Sequence, residues 1–191
     1  EPPAPVGKLK LKGVPETLDW TGPKTLCIGT GNHLVLVDVS NPKSPKLLSE
    51  TQIAKRELDG TSEVRRIGKY LFAAARKQGL LRFDISDPRR LVPAGSIRLK
   101  GFAYSMDVFK GIAAVATGAG ISFVDITGDR LSLNSDFDTL RHTEIVRYID
   151  NHLITCSKHY TTIWSLEEDP FAPEWKASLS TFDPFYFTHL C

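Results

Sequence analysis

Residues 34–37, Leu-Val-Leu-Val, are apolar at four consecutive positions. A strand with one wet face alternates apolar and polar residues, whereas an unbroken short run marks a strand buried on both faces. Runs of this kind recur and end on a polar anchor. They are "HLVLVDVS" with Asp38, "GLLRFDIS" with Asp84, "GISFVDIT" with Asp125 and, more weakly, "YTTIWSLE" with Ser165. Successive anchors stand 46, 41 and 40 residues apart.

Each interval divides in the same way. A first strand, a, is "ETLDWTG", "SEVRRIG", "YSMDVFKG" or "TEIVRYID". A tight turn follows, at Gly22-Pro23-Lys24, Gly68-Lys69, Lys110-Gly111 and Asp150-Asn151-His152, with residues that tolerate positive φ. Strand b is "TLCIGT", "YLFAAAR", "IAAVATG" or "HLITCSK"; its alanines suit the narrow part of a wedge. Strand c is the apolar run, and a more polar strand d closes the unit. Units of about 40–45 residues with four short strands predict an all-β fold, a β-propeller with four complete four-stranded blades. The blades are placed at 16–53, 62–99, 104–138 and 143–181. Residues 62–81 contain many helix-favouring Ala, Arg, Lys and Leu residues, but Gly68, Gly79 and the match to "SMDVFKGIAAVATGAGI" favour strands.

The pattern overruns the four blades at both ends. "PVGKLKLKGVPETLDW" aligns without gaps on "PAGSIRLKGFAYSMDV", so residues 5–13 are expected to be the outer strand of a preceding blade. Residues 185–191 are expected to open a following blade. The sequence is therefore read as a piece of a larger propeller. The rival is an open or tightly closed structure. In either case missing blades or another chain are expected to cover the apolar flanks of the terminal blades.

Composition narrows the function classes. Apolar residues make up 41% and charged residues 24% of the 191 positions, a globular balance. A net charge of +2 gives no reason to expect nucleic acid, and no apolar run reaches the roughly 18 residues of a membrane helix, so no membrane insertion is expected. The basic runs "KLKLK" and "VRRIGK" fall on predicted strands and read as solvated faces. Three cysteines without CxxC spacing point to neither zinc nor a redox motif, and Cys27 and Cys156 read as small buried hydrophobes.

The end of strand c carries turn chemistry. Asp38, Asp84 and Asp125 are expected to accept backbone N–H groups of the following turn, and Pro42 and Pro88 to stop the ladder. Cation binding by these carboxylates is the weaker reading, because equivalent positions on successive blades lie too far apart to share an ion. "LVLVDVSNPKSPKLLSE" and "GLLRFDISDP" resemble the LVIVD repeat, with its Asp-Ile/Val-Ser-Asn/Asp-Pro core. The second copy loses the final spacing, the third the prolines and the fourth the Asp. The resemblance implies a β-propeller of a bacterial or archaeal kind, often extracytoplasmic, with no catalytic residues to carry over.

Aligning the a strands puts Asp19, Arg65, Asp107 and Arg147 at equivalent positions, with His189 next. Strand a is nearest a propeller's axis, so these residues are candidates for a ring of alternating sign at the channel. Neighbouring ion pairs within about 4–8 Å would follow. A register slip would dissolve the ring. The histidines 142, 152 and 159 match no metal spacing, and the Gly-rich stretches "GTGNH" and "TGAGIS" join strand to strand, not strand to helix as a phosphate loop requires. Neither metal nor cofactor is expected. Trp164 is expected in the core and Trp175 at the surface. The function expected is a non-catalytic scaffold that binds a protein, peptide or glycan ligand through blade loops and the channel mouth. The alternative is an extracytoplasmic enzyme with a channel-centred active site.

Overall fold

The computed structural model describes residues 4–139, 142–167, 169, 171 and 173–180. These fold as four antiparallel sheets of four strands, each a simple meander. The first blade holds β1 (Thr17–Gly22), β2 (Thr25–Thr30), β3 (His33–Asp38) and β4 (Lys46–Gln52). The second holds β5 (Glu63–Ile67), β6 (Tyr70–Ala75), β7 (Gly79–Asp84) and β8 (Val92–Ile97). The third holds β9 (Ala103–Phe109), β10 (Ile112–Thr117), β11 (Gly120–Asp125) and β12 (Ser132–Phe137). The fourth holds β13 (Ile145–Ile149), β14 (His152–Cys156), β15 (Tyr160–Ser165) and β16 (Glu174–Ser180). Among the described residues the helical structure is a single 3₁₀ turn at Glu57–Asp59, and no helix is long and apolar enough to cross a membrane. Residues 62–81 hold β5, β6 and the start of β7 with turns between them, and no helix.

The chain divides into two compact units, Glu1–Gly95 and Ser96–Cys191. Each unit builds a core between its own two sheets. In the first, Cys27, Leu34 and Leu36 of one blade meet Val64, Leu71, Phe83 and Ile85 of the next. In the second, Ala114, Ile121 and Phe123 meet Val146, Leu153, Trp164 and Leu166. The two lists correspond strand by strand. They explain why strand c is apolar on consecutive residues: Leu34 and Leu36 enter this core while Val35 and Val37, on the opposite face, are buried as well. Trp164 replaces Phe83 at one position, and its indole N–H needs an acceptor. Thr155 supplies it at 2.9 Å where the first unit has Ala73.

Residues 5–13, expected to be the outer strand of a preceding blade, form no ladder with the described residues. A ladder needs a neighbouring strand, and none of the described residues pairs with them. The segment instead lies against the first blade. A β-carbon on Gly7 would clash with the carbonyl oxygen of Pro42, one on Gly13 would touch Thr30, and Lys12 reaches Glu50 at 3.4 Å. In "KLKLK" the lysines are exposed and the leucines half-buried. The expected strand at 185–191 lies outside the described residues. Cys27 is a free, buried thiol as expected, but Cys156 is disulfide-bonded, which corrects its reading as a simple hydrophobe.

Candidate functional site

The a strands settle the register on which the ring candidates depend. Asp19 opposes Cys27, Arg65 opposes Phe72, Asp107 opposes Ala114 and Arg147 opposes Ile154. Each partner is the third residue of its strand b, so the four ring candidates are structurally equivalent and no slip separates them. Asp19 accepts the amides of Trp20 at 2.7 Å and of Arg66, on the next blade, at 2.6 Å. Asp107 accepts those of Val108 at 2.9 Å and Tyr148 at 2.8 Å. Arg65 lies 3.0 Å from Glu63, and Arg147 donates to Ser105 Oγ at 2.8 Å. Two residues before each Asp, a hydroxyl does the same for another amide: Thr17 takes Val64 N–H at 3.2 Å and Ser105 takes Val146 N–H at 3.4 Å. The pattern [Ser/Thr]-x-Asp on strand a is thus an amide clamp from one blade onto the next. The Ser/Thr and Asp are visible in the sequence, but the amides they accept belong to the next blade and carry no side-chain signal. His189 lies outside the described residues.

Strong local fields follow from this packing. Burial, reinforced by the charge of Asp19, pushes the Cys27 thiol up to about 12. Burial and then the charge of Asp107 hold the Tyr148 phenol well above its ordinary value.

Asp38, Asp84 and Asp125 accept the amides of Ser40, Ser86 and Thr127 at 2.8, 2.7 and 2.8 Å. Ser165 accepts that of Glu167 at 3.3 Å in the fourth blade. These hydrogen bonds hold all three carboxyls below the ordinary carboxylate value. Pro88 packs against the first blade: its carbonyl accepts the Thr21 hydroxyl at 3.1 Å, and its ring meets the space where Gly22 has no side chain. Pro42 lies beside Gly7. Among the described residues no three His, Cys, Asp or Glu side chains gather as a metal site would require.

The second unit carries an open cavity of about 650 Å³ at the end where strand b turns into strand c. Tyr104, His142, Glu144, Ser157, Lys158, His159 and Tyr160 line it. Tyr104 and His142 meet edge to face, with ring centroids 5.0 Å apart. His142 Nδ1 lies 3.6 Å from the Glu144 carboxylate, an ion pair when the imidazole is protonated. The Ser157 hydroxyl donates to the Tyr160 carbonyl at 3.4 Å. Tyr160 also borders a second groove of about 430 Å³, lined by residues of β12, β15 and β16 including Trp164 and Trp175. Sequence spacing missed the first cavity, because His142 and His159 are brought together by a strand reversal and not by a motif. Trp175 is exposed and Trp164 buried, as expected. On the flank of the first blade Leu18 and Trp20 are 60% and 48% exposed.

Residues 25–52 and 61–98 match the model of the LVIVD repeat. Among solved structures the chain resembles the computationally designed Ika4 protein, with a TM-score of 0.64 and 13% identity over 82% of this chain and 93% of that one. It resembles Saccharomyces cerevisiae Sqt1 at a TM-score of 0.69 and 12% identity, over 88% of this chain and 48% of that one. It also resembles the β-propeller domain of Myceliophteria thermophila Cps50 (Swd1), at a TM-score of 0.64 and 15% identity, over 90% of this chain and 56% of that one. The chain thus spans about half the length of these two natural structures, and identities this low speak for the fold alone. No curated protein matches it by sequence. The chain is therefore a β-propeller protein that carries LVIVD repeats over residues 25–52 and 61–98.

Proposed function

We propose that this protein is a non-catalytic binding module that takes a protein, peptide or glycan ligand through its blade loops, with the Tyr104–His142–Tyr160 cavity as the principal contact. The observation that carries this reading is the makeup of that cavity. Strand ends fix its walls, and its volume of about 650 Å³ suits a ligand site. Its lining mixes two tyrosine rings with donors and acceptors of both charges, which serves orientation and hydrogen bonding. Nucleophilic chemistry is poorly served, because the Ser157 hydroxyl is turned onto a backbone carbonyl and not toward an imidazole. The exposed Leu18 and Trp20 support the further expectation that additional blades or another chain cover the first blade.

The test is to probe peptide and glycan arrays with the wild-type protein and with a Tyr104→Ala/His159→Ala double variant. Ligands retained by the wild type and weakened about tenfold or more in the variant support the reading. Chemical turnover of a retained ligand, or retention unaffected by the double substitution, would overturn it.

A further inference from the structure

We infer that the groove beside Trp175 is a saccharide-binding site, which rests on the binding-module reading and names a ligand class within it. The starting point is an irregularity in the outer strand. Ile163 opposes Ala177, but Trp164 opposes Trp175, so one extra residue, Lys176, is inserted into β16. That insertion brings Trp175 to the face shared by Thr162, Trp164 and Ser178, although it stands three positions from Ser178, an odd spacing that would put the two on opposite faces of a regular strand. There the Trp175 indole N–H donates to Ser178 Oγ at 3.1 Å, and Ser178 Oγ lies 3.1 Å from Thr162 Oγ1. The ring is tethered through its polar edge while Trp175 as a whole stays 62% exposed.

The same bulge occurs in the first and third blades, where Leu47 and Leu133 hold the equivalent position. Those leucines are also exposed, but leucine has no polar edge to fix its orientation. The fourth blade therefore turns a repeated apolar position into a flat plate held in one attitude, which is what preorganised recognition needs. The adjoining groove, about 430 Å³, is of small-ligand size. Its described lining is aromatic (Phe137, Tyr160, Trp164) or carries neutral hydroxyls and a carboxylate (Thr139, Thr162, Asp138). A pyranose ring presents one face of C–H groups and a rim of hydroxyls. The indole matches the face, and the threonines, Ser178 and Asp138 match the rim. A nucleic-acid strand would require cationic side chains, and no Lys or Arg is among the described lining residues.

The experiment titrates the whole protein with cellohexaose, chitohexaose and maltohexaose, to about 10 mM because simple sugar sites bind near the weak end of specific affinity. Tryptophan fluorescence follows the wild type, and saturation-transfer NMR on the sugar follows the variants. A saturable response to at least one hexaose is expected. Trp175→Ala should weaken it about tenfold or more, and Ser178→Ala, which keeps the indole but releases its edge, several-fold. Trp20→Ala, in the other unit, should leave it unchanged. Thermal melts show whether each variant is folded. No saturable response to any hexaose, or a response untouched by Trp175→Ala, overturns the site. If sugars bind and Tyr104→Ala abolishes that binding while Trp175→Ala does not, the binding module stands and the Trp175 site falls.

Discussion

The carboxylate of Asp107 accepts the backbone N–H of Tyr148 across the boundary between two blades, at 2.8 Å. Its other oxygen accepts Val108, the residue equivalent to Tyr148 on its own blade, at 2.9 Å. Asp19 repeats the arrangement with Trp20 and Arg66. A strand at the inner edge of a sheet has N–H groups that no ladder partner can take, and such groups are costly to leave unmet. One carboxylate on every other blade meets two of them. The alternation of Asp and Arg along the chain thus has a backbone cause: the Asp-bearing blade clamps its successor.

Substituting these carboxylates tests that account. Asp19→Ala and Asp107→Ala should each cost about 1–2 kcal/mol, toward the low end for hydrogen bonds to a charged acceptor because water reaches the site. Glu63→Ala removes a partner of Arg65 at 3.0 Å but leaves both clamp carboxylates in place, so it should cost less than either aspartate variant. Urea midpoints at constant m-value read the difference. Aspartate variants no worse than Glu63→Ala would mean the clamp contributes nothing to blade docking.

Much of the fold was legible because the repeat is written in backbone terms. Apolar runs, turn glycines and the Asp-x-Ser ending each serve one blade, and local chemistry was enough to place them. What stayed hidden depends on neighbours. Arg82 sits in strand c at the position of Leu36, Phe123 and Ile163, and it is 2% exposed. Its guanidinium donates to the Ala94 carbonyl and lies 4.9 Å from the Tyr70 ring centre, partners 12 residues apart that no linear pattern announces. The clamp and the cavity share this origin. Thr17 and Ser105 look like ordinary strand residues until the next blade's amides are in place, and Tyr104, His142 and Tyr160 meet only once the third and fourth blades are packed together.

The turn carboxylates predict a pH dependence. Asp38 is held low by the amide and hydroxyl of Ser40, Asp84 by the hydroxyl and amide of Ser86, and Asp125 by the hydroxyl and amide of Thr127. A carboxyl that ionises more readily when folded stabilises the fold above its unfolded value, and that contribution disappears as pH falls through the folded value. Stability should therefore decline from about pH 4 downward. Asp84→Asn keeps an oxygen for the Ser86 amide but carries no charge, so its urea midpoint should fall less steeply between about pH 5 and pH 2.5. Parallel curves for the variant and the wild type would refute the assignment.

Cys27 reports on the core of the first unit. Its thiol is fully buried and pushed up to about 12, so little thiolate exists at neutral pH and reagents cannot reach it. Iodoacetamide should modify Cys27 only as fast as that core opens, and the rate should climb with urea in step with unfolding. Peptide mapping by mass spectrometry distinguishes it from the other cysteines. Rapid modification in native buffer would show that the packing around Leu34, Leu36 and Leu71 is looser than the structure describes.

Gly111 and Thr127 should prove coupled. Gly111 has φ of +82°, and a β-carbon there would stand 2.4 Å from the Thr127 methyl. That methyl cannot swing away freely, because the Thr127 amide and hydroxyl are both bonded to Asp125, at 2.8 and 2.6 Å. In the first two blades the corresponding turn residues are Lys24 and Lys69, which hold equivalent backbone bonds to Val39 and Ile85. There the residue after the Asp turn is Ser40 or Ser86, which has no methyl. Glycine in the third blade is thus matched to threonine. Gly111→Ala should cost about 2–3 kcal/mol, from overpacking plus the positive φ. Thr127→Ser removes the methyl and keeps both hydrogen bonds, so alone it should cost less than about 1 kcal/mol. In the double variant the clash is gone and only the backbone strain remains, so the two effects should fall short of additivity by about 1 kcal/mol. A double-mutant cycle in urea measures this directly. Strict additivity would show that Gly111 is needed for its backbone conformation alone.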